Sequence, residues 1–526
     1  MPLSATSRLA RVLGAEKPAT PAPIWGATLL LGLYAALRLH ALLRFPPFID
    51  ELEYLELGRQ IRQGHVLVGA ANGKLFGLWW IAPSTFGQNG QLFTARALTV
   101  LLTLIGAALL YRVTHHFAGI QGSIPALLIA SVAPYLLFYD RMIITDLSVS
   151  VWGMAALWFA ARHAQNKRLA DALLCGISLW LALLGKATGI FLVVIPFLAY
   201  VLLMYTSSRR EYRQQLLRSL AATVTLYAVL ASVTLGLVRW RGYNYFSTAT
   251  TVVGSEKVSG PQAYLDHWRA LLEIDRSYFG WPLLALWAAA WLVYLRTQPR
   301  KALFWAGVTF APVGGLLLFG EKMSARYFLF HVPLLIAGGT IALVESVRTF
   351  RRHHAGLTRA VLTGVVALWA AAVAWPFYAQ YLRDPANLKL PPLDRLEYIS
   401  SDAAGFGLAE VSAVLSTQAA ESGRDVLVLG LLPNCDALAH EARLDARVEI
   451  VCSLLPMSAE DYAALCTQAD AAQAAGRTVW AVYERNTPFF SLEALGGTWQ
   501  HMEEIARPDN LTALELYRME ARCASP

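Results

Sequence analysis

Apolar residues fall into long, nearly unbroken runs along most of the chain, and the polar residues between them come in short basic or mixed clusters. A helix needs about 20 mostly apolar residues to cross the hydrocarbon of a bilayer, so runs near that length predict spans. Eleven meet the criterion, at residues 24–43, 95–117, 121–138, 147–162, 169–185, 187–205, 216–238, 279–295, 302–320, 327–346 and 359–378. The pattern predicts a mainly α, polytopic membrane protein. Around residue 378 the character changes to Pro-rich and polar, PFYAQYLRDPANLKLPPLDRL, and no later run is long enough to span. There, strand-like segments at 425–431, 448–454 and 478–484 alternate with helical stretches near 402–421, 434–443 and 458–475. That alternation predicts a small α/β domain with a parallel sheet.

Basic residues in short loops are retained on the cytoplasmic side during insertion, so their positions orient the spans. Arg8, Arg11 and Lys17 precede the first run, and further clusters lie at 162–168, 209–218, 296–301 and 348–359. Because basic clusters flank both ends of 169–205, the chain must turn back at the GKATG sequence around Lys186, making two spans there. The resulting organisation is a cytoplasmic segment 1–23 and a membrane domain 24–378 with outer loops 45–94 and 239–278. A linker with the first tail helix, 379–423, leads to a non-cytoplasmic α/β domain, 424–526. The first run is too long for a secretory signal core and lacks a small-residue cleavage site before Phe45, so it reads as an anchor.

Composition agrees with this picture, with 56% hydrophobic and 15% charged residues. The formal net charge of +8 sits mostly in the cytoplasmic loops, which leaves a nucleic-acid partner without support. Four of the five cysteines, Cys435, Cys452, Cys466 and Cys523, lie in the tail. An oxidising compartment permits a Cys435–Cys452 disulfide, the alternative being small buried thiols; Cys175 reads as packed within a helix.

A channel, a transporter and an enzyme acting on a lipid substrate share such hydropathy, so the polar groups at the outer face must discriminate. Asp50 and Glu51 open an amphipathic helix on the membrane surface, where a carboxylate could take a proton from an attacking hydroxyl; Asp50 with Glu53 also fits a helix-capping box. Lys74, before the aromatic FGLWW, could pair with a phosphate or anchor at the headgroups. Asp140, Arg141 and Asp146 crowd the connection YDRMIITD, and Asp146 could equally cap the following span. Lys186 occupies the tight GKATG turn. Lys322 and Arg326, four residues apart, share a helical face and could grip one anion. The outer loop 239–278 brings Tyr243, Tyr245, His267 and Trp268, and no metal-ligand spacing, nucleotide loop or nucleophile elbow occurs in the chain. A transporter or lipid flippase would use the same outer groups as a path, but no half-to-half repeat is seen and the polar groups gather at one face.

In this order the clusters resemble polyprenyl-phosphate-sugar-dependent glycosyltransferases of the C-type membrane fold, the protein O-mannosyltransferase and aminoarabinose-transferase superfamily. The resemblance spans about residues 24–378. Asp50-Glu51 is similar to that superfamily's Asp-Glu pair, and NGKLFGLWW to its Asn-x-Lys-Pro-Pro-Leu segment, with Leu75 and Phe76 in place of the prolines. ARALTVLL, DRMIITD, LLGKATG and KMSARYF resemble later landmarks, and SSDAAGFGLAEVSAVL (400–415) a stretch that follows the last span in bacterial relatives. The resemblance implies an enzyme of the bacterial inner membrane with its site and tail facing the periplasm or exterior. It moves a sugar from a polyprenyl phosphate, such as undecaprenyl phosphate, to a hydroxyl of a glycan, lipid or protein, with inversion. Asp50 would be the base, Glu51 and Asp146 would orient the site, and Lys74, Lys322, Arg326, Arg141 and Lys186 would hold the donor phosphate. A divalent ion, used by some relatives and not others, would sit on Asp50 and Asp146.

Overall fold

The computed structural model describes residues 21–87, 90–204, 208–246, 261–319, 324–443, 445–453 and 457–523, the side chains of 21–24 and 350–363 excepted. Each of the eleven apolar runs is realised as helix. They lie on α1 (Pro21–Leu39), α3 (Gln91–Ala118), α4 (Ile120–Val132), α5 (Asp146–Asn166), α6 (Leu169–Gly185), α7 (Val194–Leu203), α8 (Arg209–Trp240), α9 (Pro261–Thr297), α10 (Pro299–Phe319) and α11 (His331–Trp369), whose end carries the start of the eleventh run before it continues through Ala370–Ala374 into α12 (Trp375–Arg383), while α2 (Ile49–Arg62) is the amphipathic surface helix. Among the described residues six helices are long and apolar enough to cross a membrane, and four more apolar helices are shorter. The run 121–138 breaks before Pro134, which lacks the N–H needed to continue α4 and instead starts a short helix, Pro134–Tyr139.

The hairpin of α5 and α6 separates the two faces of the membrane domain. At one end Arg162 pairs with Asp171 at 3.4 Å and Lys167 with Glu211 at 3.6 Å, among the basic clusters. At the other, Asp146 meets Lys186. Lys186 is extended (φ −163°, ψ 149°) between α6 and the 3-10 helix Ala187–Val193, which is the reversal the charges required. Gly185 cannot be larger, since a Cβ there would lie 2.8 Å from the Cβ of Ser148 on α5. The chain also crosses and returns between His331 and Arg383: Arg326 reaches Asp50 before α11, and after it Arg44 donates to the Arg383 carbonyl.

One expectation is corrected. The second half of the outer loop 239–278 is helical, because α9 begins at Pro261 and runs into the span through a kink at Gly280 (φ 72°), next to Pro282. Its apolar side, Leu271, Ile274, Tyr278 and Phe279, is buried, so tertiary packing holds a helix that the polar residues of the loop concealed.

The tail folds as a five-stranded sheet of order β2-β1-β3-β5-β4. β1 (Val426–Leu431) pairs in parallel with β2 (Val448–Cys452) and β3 (Thr478–Glu484), as the alternation predicts. The antiparallel pair β4 (Thr498–Ala506) and β5 (Ala513–Ala521) extends it. β4 is an exposed edge rich in charge, so the apolar pattern did not mark it. Helices α13 (Leu408–Ser422), α14 (Cys435–Ala442) and α15 (Ala459–Ala474) pack against the sheet. Cys435 and Cys452 are disulfide-bonded, tying α14 to the end of β2; Cys466 pairs with Cys523, and Cys175 is a buried thiol.

The tail is docked rather than tethered. A Cβ on Gly405 would lie 2.4 Å from the Pro47 carbonyl, Asn434 donates to the carbonyls of Pro47 and Ala403, and the buried Arg507–Glu484 pair sends a further guanidinium N–H to the Ala404 carbonyl. Residues 384–407 therefore seal against the first outer loop.

Candidate active site

α2 places the site, and a carboxylate beside the candidate base places α2. Glu51 is fully buried and accepts from the Arg96 guanidinium at 2.9 and 2.6 Å, from the Phe48 backbone N–H at 3.0 Å and from the Ile143 N–H at 2.9 Å. Arg96 in turn donates to the carbonyls of Leu42 and Phe45. The first outer loop, α3 and the 139–146 connection thus converge on one ion pair, and all of its hydrogen-bonding capacity is used. Glu51, expected to orient the site, is held as a positioning residue, and it is this carboxylate rather than a pairing of Asp50 with Glu53 that closes the start of the helix. Glu51→Ala leaves Arg96 buried and uncompensated, so we expect a loss of about 3–5 kcal/mol of stability, read as a fall in Tm of the detergent-purified protein.

The same turn aims Asp50 the other way. Its Oδ2 accepts from Arg326 Nη1 at 2.7 Å and from the Tyr54 hydroxyl at 3.1 Å, and 22% of the side chain stays exposed. The Tyr54 oxygen accepts from Lys74 Nζ at 2.5 Å. Lys186 Nζ donates to both oxygens of Asp146 at 2.7 and 2.9 Å and lies 4.2 Å from the centre of the Tyr327 ring. Arg326 is shared: its Nη2 lies 2.9 Å from Glu397, which also accepts from Ser324 at 2.8 Å, and its Nε is buried without a partner among the described residues. Burial works against the Asp50 charge, yet Arg326, Lys74, the Tyr54 hydroxyl and Lys186 more than offset it and hold the carboxyl below its ordinary range. Burial, helped by the charges of Lys186 and Arg326, lowers the Lys74 ammonium against the opposing pull of Asp50 and Glu53. The arrangement is a partly open carboxylate, Asp50, set among three cations, with Glu397 sharing Arg326.

A strap from the tail side holds Arg326 in place. Asp394 is buried and accepts from the hydroxyls of Tyr139 and Tyr278 and from the Ala325 N–H at 3.2 Å, while Tyr135 donates to the Ala325 carbonyl at 2.7 Å. Burial raises the Asp394 carboxyl to about 6, the three hydrogen bonds opposing it. A folded-state pKa above the unfolded one stabilises the fold at low pH, and that contribution is lost as pH rises through about 6. Relative to Asp394→Asn, the wild type should therefore gain about 2–3 kcal/mol between pH 7 and pH 4, seen as a widening Tm difference.

Of the residues the sequence singles out, Asp50, Lys74, Asp146, Lys186 and Arg326 come together. Arg141 does not: it donates to the Leu37 carbonyl and packs 4.2 Å from the centre of the Tyr381 ring, because the neighbouring Asp140 is tied to Arg38 of α1 at 2.7 Å and turns the segment toward that helix. Lys322 lies outside the described residues. Tyr54, Asp394 and Glu397 were missed. Tyr54 follows Asp50 by one helical turn, which was a usable signal; the two acids stand in PPLDRLEYIS, whose prolines suggested only a linker. The donor set does not fit a divalent ion, since Asp50 and Asp146 each already face a cation and the charge around them is positive.

Residues 75–234 match the family described as dolichyl-phosphate-mannose-protein mannosyltransferase, a stretch that includes ARALTVLL, DRMIITD and LLGKATG. No match is found among curated proteins. Among solved structures, ArnT from Cupriavidus metallidurans bound to undecaprenyl phosphate is similar, at 14% identity and a TM-score of 0.54 over 99% of this chain and 100% of that one. ArnT in the apo state gives 14% identity and 0.52 over 96% of this chain and 100% of that one. The archaeal oligosaccharyltransferase AglB from Archaeoglobus fulgidus aligns at 12% identity and 0.46, covering 88% of this chain and 69% of that one. The chain thus has the multi-pass membrane fold of ArnT along its whole length, tail included, and the resemblance read from its motifs is borne out.

Proposed function

We propose that the protein is a glycosyltransferase that moves a sugar from a polyprenyl-phosphate donor to a hydroxyl acceptor, inverting the anomeric centre. The observation that carries this reading is Asp50, an ionised and partly open carboxylate held among Arg326, Lys74 and Lys186 beside the membrane domain. Two features of the comparisons support it: the family matched by residues 75–234 is one of lipid-phosphate-sugar transferases, and ArnT binds undecaprenyl phosphate.

The acceptor oxygen attacks the anomeric carbon as the carbon–oxygen bond to phosphate breaks, and the bonding pair leaves with the phosphate. The hydroxyl proton goes to Asp50. A phosphate leaving group needs positive charge more than a proton, which Arg326, Lys74 and Lys186 supply. Donor binding also prepares the base. In the resting site the cations suppress Asp50's basicity; a phosphate that takes over Arg326 relieves part of that suppression, so the carboxylate becomes a better proton acceptor when the leaving group is seated.

In this reading the protein belongs to a bacterial inner membrane with Asp50 and the tail facing outward, an orientation that the basic clusters at the opposite helix ends support. The test is purified protein in liposomes with a panel of polyprenyl-phosphate hexoses and pentoses. Cleaved donor, free polyprenyl phosphate and a glycosylated hydroxyl are expected, unchanged by a metal chelator. Donor carried between leaflets intact would instead identify a flippase, and activity lost to the chelator and restored by a divalent ion would reverse the assignment of charge to the three cations.

A further inference from the structure

A cavity of about 530 Å³ lies where α2, the start of α3 and the tail meet, and Arg59, Arg62, Arg443, Phe86 and Gln91 line it. α2 carries both sites, and the rise of a helix puts Arg59 and Arg62 about 15 Å along it from Asp50. Three guanidinium groups from two domains converge here. Arg59 is paired with Glu56, whereas Arg62 and Arg443 have no ion pair among the described residues. Both side chains reach solvent at the mouth, and partial burial together with Arg59 lowers the Arg443 guanidinium against the pull of Asp436 and Glu56.

Two further features specify what would relieve that charge. The Gln91 amide is buried and commits one end to the Gly87 carbonyl while its oxygen has no partner among the described residues, so a polar group can be met beside the cations. Phe86, at the rim, is 72% exposed and stands just before α3, a membrane-crossing helix. A large exposed ring at the start of a span belongs in the interfacial layer. The pocket mouth therefore opens at headgroup height, where an anion arrives attached to an acyl or prenyl chain.

We propose that this pocket binds the phosphorylated headgroup of an amphiphile from the lipid layer, with Arg62 and Arg443 gripping the phosphate, Gln91 meeting a neighbouring polar group and Phe86 lying along the chain. Arginine is suited to the role, since its planar fork meets phosphate oxygens in pairs. The site shares no residue with the Asp50 cluster, so the inference does not rest on the transferase reading.

The test uses the full-length protein in detergent and measures retention of phosphatidic acid, of phosphatidylcholine with the same chains, and of inorganic phosphate. Phosphatidic acid should bind at least about ten-fold tighter than phosphatidylcholine, and the double variant Arg62→Gln, Arg443→Gln should remove that preference. Arg62→Lys with Arg443→Lys should restore part of it, a rescue that misfolding would not show. Phe86→Ser should weaken phosphatidic acid while leaving inorganic phosphate unchanged. Equal binding by the Gln variant, or phosphatidylcholine held as tightly as phosphatidic acid, overturns the site. Inorganic phosphate held as tightly as phosphatidic acid overturns the lipid part and assigns the pocket to free phosphate.

Discussion

Asp50→Asn is expected to lower the rate of sugar transfer by about 10²–10⁴-fold while leaving donor binding intact or tighter, the loss expected of a missing general base. The substitution is nearly isosteric and keeps an oxygen for the Tyr54 hydroxyl, so the first turn of α2 stays where Glu51 and Arg96 put it. What disappears is the negative charge. Arg326 remains paired with Glu397 and becomes easier for a phosphate to recruit. The defect should therefore fall on kcat, with the donor KM unchanged or reduced, and the acidic limb of the pH–rate profile should vanish with the titrating group. In the wild type that limb lies low, because neighbouring cations hold the carboxyl below its usual range. An Asn variant that is folded and keeps a tenth or more of the activity would remove Asp50 as the base.

Arg326→Ala should have the complementary signature, with donor affinity reduced by about 10²-fold and acceptor affinity little changed, as befits truncation of one partner in a charged, hydrogen-bonded pair. Two consequences follow from its double pairing with Asp50 and Glu397. Both carboxylates lose their shared counter-ion and face each other as like charges, so part of the loss is repulsion of the donor phosphate. Asp50 also loses the cation that most strongly lowers its pKa, and the acidic limb moves to higher pH. Arg326→Lys should recover only part of the affinity, since one ammonium cannot reach two carboxylates and a phosphate in a fixed fork. An equal weakening of donor and acceptor would argue that Arg326 shapes the site as a whole and does not hold phosphate.

The two variants test a coupling that neither residue has alone. Asp50 stands at the start of α2 and Arg326 follows α10, yet they meet at 2.7 Å. The strap of Asp394, Glu397 and the tyrosines around them orders the short helix Ala325–Phe328. The tail's docking through Gly405, Asn434 and Arg507 fixes that strap against the membrane domain. The stability of the tail and the geometry of the site are therefore linked, although they lie in different parts of the chain.

Hydrophobic run length and the placement of arginine and lysine were sufficient to read the apolar helices and the turn at Lys186, because each of these follows from the cost of putting charge or unpaired backbone into hydrocarbon. The same local logic found the parallel half of the tail sheet and the acidic and basic residues of the site. It could not tell which of two adjacent carboxylates stays open: Asp50 and Glu51 differ by 100° of helix rotation, and only the partners waiting on each side, Arg326 for one and Arg96 for the other, leave the first partly exposed and the second fully buried. Nor could it keep Arg141 out of the site or bring Glu397 in, since those outcomes depend on where Arg38 and the tail strap come to rest. Burial cost acts residue by residue and is written along the chain, whereas charge pairing between distant segments exists only once the helices have packed.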